Sequence, residues 1–363
     1  MAVLASSTLA LYCWTGRYSD KPSQPQYTIV KSNPDSNNVI RFEISELIQD
    51  YIDVVFNNDY TVGGDGLSNI RSTCWWYYEK QNSYTDRDAD TEHTAYGLAT
   101  KGYTYFEDGI NSTLSSSKLF SNEFVYYPEG AVIHIPVYIG PNGVSNVKFY
   151  SKDSLGNEYV SDSVAYTLQS NIPASEDSNT YIRYALSAVK ATKIEIVSAN
   201  QSAPGYSTDT EQAIETVYPI YTCNTKYTNH KVCFINKLGA FQDLYFVKKR
   251  EDSLDVKRDA FDTSTVTSSS TSVNYNIYDP TNIVQDVTSK KSLTLSTGFV
   301  KDEYNETMRE LFQSENVFIR EDNKTIPIKV KDSSFTYKTH LNDKLVNYTV
   351  QFEYAFEGIN NVR

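Results

Sequence analysis

Acidic residues recur at Asp86, Asp88 and Asp90, two positions apart. That spacing presents the first oxygen ligands of a helix-loop-helix calcium site. The site also needs glycine at the sixth position and a bidentate glutamate at the twelfth, and these positions hold Thr91 and Gly97. The motif fails. Asp86–Asp90 reads as a solvated acidic loop, with a looser oxygen-ligand cation site as the alternative. The four histidines, His93, His134, His230 and His340, are scattered, and none lies beside a carboxylate or cysteine at zinc or triad spacing. Gly63, Gly64 and Gly66 lack the Gly-Lys-Ser/Thr that would hold phosphates. The 45 acidic residues supply carboxylates for glycoside hydrolysis, but no pair is singled out. The expectation is therefore no enzyme, no cofactor and no metal. Aromatic residues remain: Trp75, Trp76 and Tyr77, with Tyr103 and Tyr105, form a candidate contact surface that could stack on sugar rings or fill a protein interface.

Composition narrows the partners. Thirty tyrosines against two methionines, with abundant Ser, Thr and Asn, favour strands and polar surfaces over helical bundles. A net charge of −12 opposes nucleic acid or an anionic membrane. The densest basic run, Lys248-Lys249-Arg250, is followed at once by Glu251 and Asp252 and reads as a solvated strand end. Cys13, Cys74, Cys223 and Cys233 have no metal spacing and read as buried free thiols. The start carries no basic residue before its apolar part and no cleavage pattern, so no export signal is expected. No apolar run reaches the length of a membrane span.

The elements that must position these residues are mostly strands. Leu9, Leu11 and Cys13 alternate with Ala10, Tyr12 and Trp14 in what reads as an extended arm, broken by Pro22 and Pro25. Residues 43–56 predict a helix, since Ile44, Leu47, Ile48, Tyr51, Ile52 and Val55 share one face. Alternation marks strands at 131–139, 144–151 and 158–168, separated by turns at 140–143 and 153–157. Asp262 to Ser272 reads as a Ser/Thr-rich hinge, and a second helix follows Asp302 as N-cap. The most regular strand is Lys344 to Phe356. Its even positions (Val346, Tyr348, Val350, Phe352, Tyr354 and Phe356) form one apolar face, and the segment with Phe335 and Tyr337 would pair with it as a hairpin.

Phe234-Ile235-Asn236-Lys237-Leu238-Gly239, Leu311 to Glu315, Ile326-Pro327-Ile328 and Leu341 to Tyr348 resemble tail and baseplate proteins of tailed bacteriophages, of distal-tail or tail-hub type. Ile40 to Ile48 shares that character. The likeness lies in spacing and composition over about half of the chain, and residues 60–210 take no part. It implies a β-rich subunit without catalytic residues, placed in the virion tail, that assembles as a closed ring, in the limit a hexamer, with other tail proteins and mediates host attachment. The expected fold is mostly β: antiparallel β-sandwich or barrel-like domains with two short helices and an inserted β-domain. Residues 1–60 would give the arm, strands and helix of the assembly domain, 61–210 the inserted β-sandwich-like domain, and 211–363 the rest of the assembly domain. Two other functions compete. One is a receptor- or glycan-binding module of a tail fibre, which would meet a host cell-surface glycan. The other is a secreted carbohydrate-active enzyme.

Overall fold

The computed structural model describes residues 3–15, 18–56, 70–86, 93–109, 119, 121–128, 131, 133–138, 144–165, 181–186, 191–198, 212–222, 226–268, 271–322, 324–332, 334–337 and 345–358. Among these the chain is mostly β with two short α-helices, and no sheet closes into a barrel.

The first elements are β1 (Leu4–Trp14), β2 (Tyr27–Ser32), α1 (Ser45–Tyr51), β3 (Val55–Phe56), β4 (Ile70–Arg71), β5 (Thr73–Tyr84) and β6 (His93–Thr100). Four of them make an antiparallel sheet in the order β2-β1-β5-β6. The expected N-terminal arm is thus an interior strand. Leu9, Leu11 and Cys13 bury one face of β1 against Ile48 and Ile52, while Tyr12 and Trp14 bury the other with Trp75. A strand apolar on both faces is stable only when both are covered. Cys13 and Cys74 come from unlike stretches of sequence but share that first core cluster, and Cys13, Cys74 and Cys233 are all buried. Cys223 lies outside the described residues.

Helix α1 is shorter than its apolar periodicity predicts. Ile52 is already extended (φ −71°, ψ 107°), and Val55 and Phe56 pair with β4. The β-branched pair Val54-Val55 favours the strand. Phe56 then stacks on Phe241 at 4.6 Å and carries the first segment into a more distant core.

The middle elements are β7 (Phe124–Pro128), β8 (Ile133–Tyr138), β9 (Val144–Lys152), β10 (Glu158–Ala165), β11 (Tyr181–Leu186), β12 (Lys193–Ser198) and β13 (Gln212–Thr222). A five-stranded sheet runs β10-β9-β12-β13-β7, and β8 pairs with β11. The predicted turn after β9 forms as expected. Asp153 Oδ1 accepts the N–H groups of Leu155 and Asn157, both at 2.8 Å, and Gly156 takes the left-handed conformation (φ +86°). The predicted turn at 140–143 lies outside the described residues. Strand pairing crosses residue 60 through β1 and β5, and crosses residue 210 through β12 and β7, both of which pair with β13.

The remaining elements are β14 (His230–Ile235), β15 (Phe241–Phe246), β16 (Glu251–Asp262), β17 (Val266–Ser268), β18 (Val273–Tyr275), β19 (Asn282–Lys301), α2 (Asn305–Gln313), β20 (Val317–Glu321), β21 (Lys324–Val330) and β22 (Leu345–Tyr354). A seven-stranded sheet runs β15-β14-β20-β21-β22-β19-β16. The last strand therefore lies inside the sheet, paired with β19 and β21. Among the described residues, the Phe335 segment makes no hairpin strand with β22. Residues 334–337 are not a strand, although Phe335 stacks on Tyr348 at 5.6 Å. The even face of β22 is buried as its alternation predicts from Val346 to Tyr354, but Phe356, beyond the strand, is 49% exposed.

Asp302 opens a 3-10 turn, not α2 itself, whose N-cap is Tyr304. Met308 and Leu311 of α2 pack into the same core as Phe246, Val350 and Phe352. The first sheet is locked to this body through the β14–β15 turn. Ser72 Oγ donates to the Gly239 carbonyl at 2.6 Å, Thr100 Oγ1 to that of Leu238 at 3.0 Å, and Tyr103 N–H to that of Lys237 at 2.8 Å.

Candidate assembly interface

β16 and β19 leave the seven-stranded sheet together. β19 pairs with β22 from Ser292 to Lys301, the Ser289 carbonyl still accepts the Gly358 N–H at 2.7 Å, and among the described residues 282–288 pair with β16 alone. At 3.3 Å per residue this ribbon projects about 20 Å. A ladder bond from Thr263 N–H to the Thr281 carbonyl (2.8 Å) and the β17–β18 pair carry it onward. The expected Ser/Thr hinge at 262–272 therefore lies in the outer part of this two-stranded projection, and Val266–Ser268 within it is strand.

Register assigns the two faces. One carries Leu254, Val256, Arg258 and Ala260 of β16 opposite Lys291, Ser289, Val287 and Val284 of β19. The other carries Asp255, Lys257, Asp259 and Phe261 opposite Lys290, Thr288, Asp286 and Ile283. All twelve residues of β16 are exposed. Leu254 is 55% exposed, and toward the tip Ile277 and Tyr278 reach 76% and 87%. Val266, Val273 and Tyr275 are exposed beside them. A folded chain rarely leaves so many apolar side chains on one projection unless something covers them. The outer edge of β16 adds unpaired backbone: it is the last strand of its sheet, with β19 as its one strand partner among the described residues.

The root of the ribbon is held by charge. The Arg250 guanidinium bonds Asp252 (Nε to Oδ1, 2.8 Å), Glu321 and the Tyr354 hydroxyl (3.1 Å), and that hydroxyl donates to Glu321 Oε2 at 2.8 Å. Burial and the Glu321 contact push the Tyr354 hydroxyl up to about 12. Gly298 turns β19 at its inner end with φ +75°, where a Cβ would come within 2.9 Å of the Lys248 side chain. β16 and β19 escaped the sequence reading altogether. Their signal, alternation at Leu254 and Val256 and at Leu293 and Leu295, is present but lies among Ser, Thr and charged residues.

The five aromatic residues singled out by sequence do not share a surface. Trp75 is 3% exposed and packs with Tyr12 and Trp14. Trp76, on the opposite face of β5, stacks parallel to Tyr78 at 6.1 Å. Tyr77 lies edge-on to Tyr12, and Lys21 Nζ sits over both rings, 3.8 Å and 4.1 Å from their centroids. Glu79 completes this cage, accepting from Lys21 at 3.3 Å and from the Tyr12 hydroxyl at 3.1 Å. The rings are thus already occupied by a lysine of the same chain.

Tyr103 and Tyr105 lie elsewhere, edge to face at 5.8 Å, and the Arg309 guanidinium of α2 covers the Tyr105 ring at 3.6 Å. Beneath them Glu310 is fully buried. It accepts from Ser121 Oγ at 2.5 Å and from the Lys237 N–H at 3.4 Å, and burial raises its carboxyl to about 7. Burial also pushes Tyr103 up to about 12 and raises Tyr105 further. This cluster joins α2 to the segments around residues 103 and 121.

Asp86 Oδ1 accepts the Val3 N–H at 3.2 Å, and the rest of the expected acidic loop lies outside the described residues. No group of three or more His, Cys, Asp or Glu among the described residues is placed to hold a metal ion. No described helix is long and apolar enough to cross a membrane. No family model, curated protein or solved structure matches the chain.

Proposed function

We propose that this chain is a structural subunit of a bacteriophage tail, a distal-tail, hub or baseplate component, that assembles through its projecting ribbon. The observation that carries an assembly role is the ribbon itself, with exposed apolar side chains on both faces of β16–β19 (Leu254, Val256 and Val284 on one, Phe261 on the other) and around the tip. The tail assignment comes from the sequence resemblance. Most of its described segments fall in one body: Phe234 and Ile235 end β14, Leu311 to Gln313 end α2, Ile326 to Ile328 lie in β21, and Leu345 to Tyr348 open β22. Ile40 to Ile48 instead leads into α1 against the first sheet. A ring subunit must offer two different patches that meet head to tail. Six-fold closure, neighbouring tail proteins and attachment to a host are part of the proposal. The glycan-binding alternative loses its platform, because Trp75 is buried and Tyr77 is covered by Lys21.

Negative-stain imaging of the purified full chain, with light scattering, tests the assembly reading. A defined closed assembly is expected. A monomer that binds immobilised glycans would replace this reading with the binding-module one. Immunogold labelling of the encoding virion tests the location, with label expected on the tail.

A further inference from the structure

We infer that the outer edge of β16 is a self-association surface, on which a second copy of this chain lays its own β16 antiparallel about a two-fold axis through Val256. The inference rests on reading the ribbon as an assembly element and names its occupant.

Edge geometry comes first. An exposed edge strand of twelve residues is a template for another strand, and natural sheets commonly blunt such edges with charges, bulges, prolines or covering loops. β16 carries charges, but Asp255, Lys257 and Asp259 alternate in sign, so an antiparallel copy can meet them. β16 contains no proline. Its one irregularity lies between Asp259 and Ala260, away from Val256.

Charge favours this partner and separates this register from the next one along the strand. With the axis at Val256, Asp255 faces Lys257 of the second copy and Lys257 faces Asp255, so both ion pairs form on the charged face. On the other face Val256 meets Val256, and Leu254 lies diagonal to it with its partner Arg258. Moving the axis to Lys257 would set Lys257 against Lys257, and Asp255 against Asp259, which like-charge repulsion disfavours. Within one chain these charges have weak, exposed contacts: Lys257 with Asp259 at 3.4 Å and Asp255 with Lys331 at 3.6 Å. Giving them up costs little.

The contact is small. Pairing at the edge covers the backbone and the flanking side chains of β16 and leaves the faces of the ribbon open. It therefore buries less than about 800 Å² per partner, the size of stable interfaces, and should be a micromolar association. The contact is isologous, so it joins chains in pairs and would add two-fold axes to any ring built by other surfaces.

Sedimentation velocity or native mass spectrometry of the full chain across the micromolar range tests this. The wild type should associate in pairs. Asp255→Lys and Lys257→Asp should each weaken that association by about tenfold or more, since each places two like charges opposite one another. Mixing the two variants should restore it, because each then faces its complement, and the double variant should also recover. Both side chains are exposed, so the variants should melt like the wild type.

Cross-linking supplies an independent readout. Val256→Cys should form an interchain disulfide on oxidation, since directly opposite residues lie within disulfide range. Leu254→Cys, about 14 Å from its own copy in this register, should not. Unaltered association in both single variants, failure of the mixture to recover, or a wild type that never pairs overturns the inference. If the charge variants change nothing but shortening the ribbon abolishes assembly, the ribbon is an assembly element with another partner. If neither matters, the assembly reading fails too.

Discussion

Arg250 donates to the Tyr354 hydroxyl at 3.1 Å, and this bond ties the first turn of the ribbon to the end of β22. Tyr354 in turn donates to Glu321, which also faces Arg250, so three strands meet at the root of the projection. A ribbon that leaves a sheet needs such an anchor, because its outer part has no core of its own to fix its direction.

Arg250→Ala should destabilise the chain by about 2 kcal/mol, through the lost charge-assisted bonds and the half-buried Glu321 left without its cation. Arg250→Lys should recover less than half, since an ammonium cannot reproduce the fork that reaches Asp252, Glu321 and Tyr354 together. Urea unfolding of the three proteins measures both.

Phe352 is fully buried and meets Phe246 edge to face at 5.7 Å. Phe352→Ala should cost about 3–5 kcal/mol. Phe356→Ala, on the same alternating face but half exposed, should cost less than about 1 kcal/mol. Equal losses in urea unfolding would mean the apolar face continues past Tyr354.

These two residues also show what the sequence made legible. Period-two alternation identified the buried face of β22 because burial on one side demands it. It did not reveal the partners of β22, since β19 and β21 come from distant stretches and pairing depends on the whole sheet. The ribbon was hidden for the converse reason: β16 is exposed on both faces, so nothing in folding requires a clean apolar pattern there. The aromatic excess drew the eye to Trp75, Tyr77, Tyr103 and Tyr105. Composition cannot show that Lys21 or Arg309 will cover such rings, because both reach them across long gaps in the chain.

Glu310 makes stability depend on pH in an unusual direction. Burial raises its carboxyl to about 7 in the folded chain, against an ordinary value of 4.5. Between those values the folded state holds the proton and the unfolded state has released it, so this group's contribution to stability falls as pH rises. The loss is at most about 3 kcal/mol and is complete above pH 7. Glu310→Gln keeps a neutral side chain at this place and should be more stable than the wild type at pH 8, with the difference shrinking toward pH 5. Thermal melts at both values give the sign, and a variant less stable at pH 8 would show that the charged form is the one the site holds.

Gly239 sits at φ +79°, and a Cβ there would lie 2.5 Å from the Thr100 Cβ and 2.7 Å from the Gly102 backbone nitrogen. Gly239→Ala should cost about 2–4 kcal/mol by combining left-handed strain with a backbone contact that cannot yield. Hydrogen exchange should speed up at the Tyr103 amide, whose bond to the Lys237 carbonyl depends on the same close approach.

The ribbon as the assembly element is tested most directly by removing it. Residues 257–288 can be replaced by an Asn-Gly turn, because Val256 and Ser289 are directly paired in the ladder and a two-residue loop can join them. Native mass spectrometry of the full chain and the shortened chain at equal concentration is the measurement. The full chain should form an assembly, and the shortened one should be folded with an unchanged melt and run as a smaller species that has lost the ribbon contact. The same assembly in both would contradict that role for the ribbon.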